Sequence, residues 1–140
     1  MRAYFSRRYR ISASHRLHSD SYTDDENWAT YGKCNNPHGH GHNYIIEVTL
    51  GGEVDAQTGM VCDMVKLDDA VRHEVVDRFD HTNLNMHERF RDVVPTTENL
   101  CIAIHELLAA IEKPAAFGSA ELVRVRVEET QNNFFEYAGK

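Results

Sequence analysis

With 140 residues, a formal net charge of −7 and a pI near 5.7, the chain is sized for one domain with a real hydrophobic core and is too short for a (β/α)8 barrel. The acidic balance argues against general nucleic-acid binding, which needs a basic stripe, although Arg7, Arg8, Arg10 and Arg16 could form a local anion patch. Three cysteines without paired spacing make no disulfide framework, no run approaches the ~18 apolar residues of a membrane span, and no apolar stretch of the signal-peptide kind follows the N-terminal arginines, so a cytoplasmic protein off the membrane is expected.

The first strand is expected over about residues 3–17. Tyr9, Ile11, Ala13, His15 and Leu17 alternate there against Arg10, Ser12, Ser14 and Arg16, so His15 ends an apolar row. His18 to Pro37 reads as a polar connection that carries Cys34, longer than ordinary loops, and loops of that size in a compact domain are usually functional. A thiol there has chemistry only if a cation or a base sits beside it; otherwise it is an ordinary loop cysteine.

His38-Gly39-His40-Gly41-His42-Asn43-Tyr44 then runs into a second strand over about residues 40–50. In a strand His40 and His42 share a face with Tyr44, Ile46, Val48 and Leu50, while Gly41, Asn43, Glu47 and Thr49 take the other. Two imidazoles two residues apart can converge on one cation, and Gly41 keeps the backbone between them uncrowded. A lone His-x-His is a weak signal. If the first two strands lie side by side with these faces together, however, His15, His40 and His42 meet at the end of the sheet and leave one coordination position open, the layout of a catalytic zinc.

Residues from Gly51 to Gly59 turn the chain, and Met60 to Met64 reads as a short returning strand. From Lys66 to Phe79 the period becomes helical, with Leu67, Ala70, Val71, Val75 and Phe79 on one stripe. Asp80-His81 follows directly and pairs a carboxylate with an imidazole; a helix C-cap explains the pair equally well. A second helix starts near Pro95-Thr96-Thr97-Glu98, presents Leu100, Ile104, Leu107, Leu108 and Ile111, and stops at Lys113-Pro114; Cys101 and His105 flank its stripe in packing or solvated roles. The last strong strand is Glu121 to Thr130, with Val123, Val125 and Val127 on one face and Leu122, Arg124 and Arg126 on the other. Glu129 ends the apolar row and its neighbour Glu128 does not, which makes Glu129 a site candidate unless it is merely a solvated strand end. Strands with two inserted helices indicate an α+β domain: a four-stranded antiparallel sheet with both helices on one face and exposed edges that pairing between subunits would protect.

In order along the chain stand Ser12-Ala13-Ser14-His15-Arg16-Leu17, Gly32-Lys33-Cys34-Asn35-Asn36-Pro37, His40-Gly41-His42-Asn43-Tyr44, Phe79-Asp80-His81-Thr82-Asn83-Leu84, Pro95-Thr96-Thr97-Glu98-Asn99-Leu100 and Glu129-Thr130 with Asn132-Asn133. Over nearly its whole length the chain therefore resembles the 6-pyruvoyl-tetrahydropterin synthase family, which includes the 6-carboxytetrahydropterin synthases of queuosine biosynthesis. The resemblance implies the tunnelling fold, in which subunits join sheets edge to edge into trimeric barrels and two trimers stack as a homo-hexamer with active sites at subunit boundaries. It implies Zn2+ held by His15, His40 and His42, a base at Cys34, a proton relay at Asp80 and His81, and a pterin anchor at Glu129. The implied substrate is the pterin triphosphate 7,8-dihydroneopterin triphosphate. Elimination of triphosphate would give 6-pyruvoyl-tetrahydropterin, and the carboxy product is the alternative.

His38 creates a second register, with His38 and His40 as ligands at the spacing associated with the queuosine branch. Tyr44 and the strand after it favour His40 and His42. A cupin-type metal oxygenase fits less well, because Glu47 falls on the wrong face for a ligand and no downstream Gly-x-His appears. A non-catalytic zinc module would leave Cys34, Asp80 and Glu129 without a role.

Overall fold

The structure is a computed structural model that describes residues 1–140. Strand β1, Arg2–His15, pairs along its whole length with the antiparallel strand β2, His40–Glu53, in a register that sets His15 opposite His40 and Ala13 opposite His42. Strand β4, Glu121–Thr130, pairs antiparallel with β2, and β5, Asn133–Tyr137, with β4. The two-residue strand β3, Thr82–Asn83, runs parallel to β1 on its free side, so the sheet order is β3-β1-β2-β4-β5.

The expected four-stranded antiparallel sheet is thus a five-stranded one with a parallel edge. Met60 to Met64 is not a strand: the chain turns there and Met64 opens a helix whose N-cap Asp63 accepts from the amides of Val65 and Lys66. The capping carboxylate satisfies helix donors that a strand would have left to a ladder partner. The fourth and fifth strands come instead from β3 and from β5, whose five residues follow a tight turn at the end of β4.

Helix α1, Asp24–Tyr31, stands where a featureless connection is expected and is followed by a 3-10 turn over Gly32–Asn35 that carries Cys34. It buries only Asn27, so it leaves no apolar periodicity in the sequence. What holds it is polar. Thr23 and Glu26 form a reciprocal capping box, and the Asn27 amide donates to the carbonyls of Ser19 and Thr23 while its oxygen accepts from the Ser19 amide.

Helix α2, Met64–Val71, passes through a π turn at Arg72–Val76 into α3, Asp77–Phe79; it is the amphipathic helix expected from residue 66, begun two residues earlier. Helix α4, Thr97–Ala109, takes its cap from Thr96, whose hydroxyl accepts from the Asn99 amide, and the four-residue α5, Lys113–Ala116, follows. Ile11, Tyr44, Ile46, Val48, Leu50, Val125 and Val127 of the sheet are fully buried with Leu67, Val71, Val75, Phe79, Leu100, Ile104 and Leu108 of the helices, so both helical segments cover one face. Each such side chain contributes roughly 1.5–3 kcal/mol when taken from water.

One strand face differs from its simple alternation. A register shift at Thr49/Leu50 sets Leu122 opposite Leu50 and Arg124 opposite Thr49, so Leu122 packs on the core and Val123 does not join it. The extra residue of a bulge inverts parity beyond it. From Arg124 onward the expected faces hold. The other sheet face is polar and carries a charge ladder in which Arg8 lies beside Glu47, Glu47 beside Arg126, and Arg126 beside Glu136.

Candidate metal centre and active site

His15, His40 and His42 converge at the end of the β1–β2 ladder, each offering a ring nitrogen within 4.8 Å of the others. Strand parity carries them there. His15 and His40 are cross-strand partners and His42 is opposite Ala13, all on the core face, and the Nε2 atoms of His15 and His40 are 3.2 Å apart. His15 is buried, and its Nδ1 lies 2.7 Å from the carbonyl oxygen of Pro95. Donation from Nδ1–H to that carbonyl turns the Nε2 lone pair toward the other two rings, the tautomer a metal ligand needs. Burial also lowers the affinity of His15 and His42 for protons, which favours the neutral form. The donor set and geometry fit a zinc ion with one position left open.

Gly39 makes the approach possible. Its φ is +71°, and a Cβ there would stand 3.0 Å from the carbonyl oxygen of His15. Gly41, expected to relieve crowding, meets nothing closer than 3.5 Å, so the tight position is two residues earlier. His38 is exposed and outside the cluster.

Tyr44 lies beneath the cluster, fully buried, with its ring edge-on to His15 and His42 and its hydroxyl 3.4 Å from His15 Nδ1. Cys34 is half-buried at the same end of the sheet. The Leu17 amide donates to the Cys34 carbonyl, tying the 3-10 turn to the exit of β1. Burial pushes the Cys34 thiol up, and the charge of Glu129 adds to this. In the absence of a cation the thiol is protonated at neutral pH, which matches the condition set by sequence: its reactivity depends on a neighbouring positive charge.

Glu129 occupies a second irregularity, a register shift between Glu128 and Thr130 in the β4–β5 ladder. Bulges re-aim side chains. Its Oε2 stands 3.9 Å from Nε2 of His15 and 3.8 Å from Nε2 of His42. Thr97 donates its hydroxyl proton to Oε2, and the Asn133 amide donates to Oε1 at 3.2 Å. Burial works to raise the Glu129 carboxyl, but these two donors and the imidazoles outweigh it and hold the group below its ordinary value. Glu128 pairs with Arg126 on the polar side. Thr97 and the Pro95 carbonyl went unread because a Pro-Thr-Thr-Glu string at a helix start already has a complete explanation in capping. Only Thr96 caps, and that leaves the next hydroxyl free.

Asp80 and His81 form a pair, with Nε2 of His81 3.6 Å from Oδ2 of Asp80, but in a different place. Oδ1 of Asp80 accepts from the Ser12 amide and the His81 amide donates to the Ser12 carbonyl, which fastens both residues to the outer side of β1. His81 is exposed in a cleft of about 440 Å3 lined mostly by residues of the parity opposite to that of the imidazole cluster, Ser12, Ser14, Gly41, Asn43 and Asn83, although Ala13 and His42 also border it. No hydrogen bond or ion pair joins this pair to Cys34, Glu129 or the three imidazoles. Within one chain, five of the seven expected residues come together and two do not.

His81 is also the chain's only non-glycine residue at positive φ, +58°. A left-handed conformation costs an L-residue roughly 1–2 kcal/mol, partly offset in glycine by the roughly 0.5–1 kcal/mol of extra chain entropy it loses on folding. His81→Gly is therefore expected to leave the thermal midpoint unchanged or raise it, by about 1 kcal/mol at most in stability. A clear drop in melting temperature would mean that the imidazole contributes packing to the fold.

A model of the family described as 6-pyruvoyl tetrahydropterin synthase matches residues 4–140. The chain is 45% identical over 139 residues to the 6-pyruvoyl tetrahydrobiopterin synthase of Homo sapiens, covering 99% of this chain and 92% of that one. It is 41% identical over 97 residues to the putative 6-carboxy-5,6,7,8-tetrahydropterin synthase of Archaeoglobus fulgidus, covering 69% of this chain and 73% of that one. Among solved structures, the 6-pyruvoyl tetrahydropterin synthase of Caenorhabditis elegans superposes with a TM-score of 0.91 at 42% identity, covering 100% of this chain and 97% of that one.

Proposed function

The chain belongs to the 6-pyruvoyl tetrahydropterin synthase family, and from that premise we propose that it is a zinc-dependent lyase that converts 7,8-dihydroneopterin triphosphate into 6-pyruvoyl-tetrahydropterin. The observation that carries the reading is the meeting of three imidazoles from two strands with Cys34 and Glu129 beside them. The pyruvoyl product is favoured over the carboxy product by the higher identity to relatives named for the pyruvoyl reaction, 45% over 139 residues against 41% over 97 and 26% over 157 for relatives named for the carboxy reaction. It is favoured too by ligands at positions 40 and 42, with His38 outside the cluster.

His15, His40 and His42 would hold the zinc. When bound, it supplies Lewis-acid polarisation of the substrate's side-chain hydroxyls, acidifying them and the neighbouring C–H bonds. Glu129 orients the pterin by accepting from its 2-amino and N3–H groups, a flat donor pair suited to a carboxylate. Cys34 as thiolate takes the proton from the activated carbon, and the buried Tyr44 beneath keeps solvent from that end of the sheet. His81, oriented by Asp80, moves a second proton. Because the Asp80–His81 pair faces away from the cluster of its own chain, it would serve the site of a neighbouring subunit in a hexamer of stacked trimers.

Incubation of purified protein with dihydroneopterin triphosphate, followed by analysis of released triphosphate and of the pterin product, tests the whole reading. Release without a 6-pyruvoyl product would shift the assignment to the carboxy branch, and no release at all would remove the enzyme reading. Glu129→Gln is expected to weaken pterin binding about tenfold to a hundredfold, since an unpaired buried donor costs roughly 1–3 kcal/mol. The variant should retain its zinc. Glu128→Gln should do little, and equal effects from the two would mean that the pocket lies elsewhere.

A further inference from the structure

Two of the chain's four methionines and one of its three cysteines fall together in Met60-Val61-Cys62-Asp63-Met64, the stretch between β2 and α2. All three sulfur residues border one cavity of about 370 Å3, closed on another side by Gly118 and Ser119. The local backbone sets this up. Asp63 is extended, with φ −87° and ψ 102°, so the residues on either side of it, Cys62 and Met64, project the same way. Met60 is held by a preformed loop: Asp55 Oδ1 accepts from the amides of Gln57 and Thr58, the Asp55 amide donates to the Met60 carbonyl at 3.0 Å, and the Met60 amide donates to the Thr58 hydroxyl.

Packing explains part of the group. Cys62 is 7% exposed and belongs to the core, and Met64 packs against it, as soft adaptable side chains do. Packing does not explain Met60, which is 39% exposed yet borders the same cavity.

The surroundings are one-sided in charge. Asp55 and Asp63 border the cavity and are exposed, and each has Oδ1 engaged by two backbone amides, so they contribute negative charge at its edge more than ligand atoms. No lysine, arginine or histidine borders it, and Lys66 reaches instead to the Pro114 carbonyl. Two thioethers and a thiol are soft donors. They select Cu(I) over the oxygen-seeking Mg2+, Ca2+ and Mn2+. Burial, with the charges of Asp63 and Asp68, pushes the Cys62 thiol up, so it keeps its proton at neutral pH until a cation displaces it.

We propose that Met60, Cys62 and Met64 form a metal site separate from the imidazole cluster, one that takes the soft monovalent cation Cu(I) between three sulfurs. On binding, the Cys62 S–H bond breaks, its proton leaves to solvent and a copper–thiolate bond forms. Copper stays Cu(I), so no oxidant or reductant takes part. The site follows the far end of the 14-residue β2 from His40, and it does not depend on the pterin reading.

The test is anaerobic competition for Cu(I) between the protein and bicinchoninate, with equimolar zinc present to occupy the imidazoles, in wild type, Cys62→Ala, Met60→Leu, Met64→Leu and Cys34→Ala. Wild type should hold about one Cu(I) per chain against the chelator. Even outer partners of a metal ligand are worth about tenfold to a hundredfold in affinity, so Cys62→Ala should weaken binding at least about a hundredfold and each methionine variant about tenfold. Met60→Leu nearly conserves volume at a partly exposed position, so it carries the test if Cys62→Ala fails to fold. Cys34→Ala should match wild type. X-ray absorption of the copper-loaded wild type should show sulfur neighbours and no nitrogen. Nitrogen neighbours, or copper lost from Cys34→Ala and kept by Cys62→Ala, would move the metal to the other end of β2 and overturn the proposal. Equal affinity in wild type and Met60→Leu overturns it as well, as does a wild type that yields all its copper to bicinchoninate.

Discussion

Alanine in place of His40 is expected to empty the zinc site and lower triphosphate release by at least about a thousandfold, the upper end of what one lost electrostatic stabiliser costs. Wild type should carry about one zinc per chain, because three neutral imidazoles with an open fourth position make a catalytic-type site. His15→Ala and His42→Ala should behave the same way, since all three ring nitrogens lie within 4.8 Å of one another and none can be replaced by a neighbour. His38→Ala is the control. His38 is exposed in the turn before β2, so its removal should leave metal and turnover within about twofold. Metal analysis of the four variants checks this, and retention of zinc by His42→Ala together with its loss from His38→Ala would replace the ligand register argued above.

Mixing two inactive variants should restore activity. Cys34→Ala removes the base and His81→Ala the relay, and each is expected to fall about a hundredfold to ten-thousandfold, the usual contribution of a positioned acid or base. Cys34 sits with the imidazole cluster and His81 opens on the opposite sheet face, so one site would draw them from different chains. After the variants are mixed in equal amounts, dissociated and reassociated, about a quarter of the sites would hold an intact Cys34 and an intact His81, by the statistics of a heterologous interface. About a quarter of wild-type turnover should return. No recovery from a demonstrably mixed hexamer would put both groups in one chain, and an active monomer in sedimentation would end the shared-site account altogether.

The imidazole cluster was legible in the sequence because strand parity is a strict rule. His15, His40 and His42 each ended an alternating apolar row, and a ladder that pairs Ile11 with Tyr44 has no choice but to bring His15 to His40. Glu129 was legible for the same reason. Helix α4 and the α2 segment followed from their stripes, which are buried as expected. Helix α1 was not, since its stability comes from the Thr23–Glu26 box and the Asn27 bonds rather than from an apolar face. The strand expected at Met60–Met64 failed where a capping aspartate outweighed a short apolar run.

By itself, then, the sequence determined which side chains share a face, because that depends only on local backbone periodicity. From this followed the core, the imidazole triad and the side of the sheet on which Glu129 lies. Only the tertiary structure decided what depends on irregularity or on distant partners. The bulges at Thr49/Leu50 and Glu128/Thr130 are one-residue insertions into a ladder, invisible until both strands are aligned. The Pro95 carbonyl on His15, the Thr97 hydroxyl on Glu129 and the separation of Asp80–His81 from the cluster join residues from 32 to 80 positions apart, or keep them apart. No local rule reaches that far, because such contacts form only when whole elements pack and buried polar atoms must find whatever partner the packing brings.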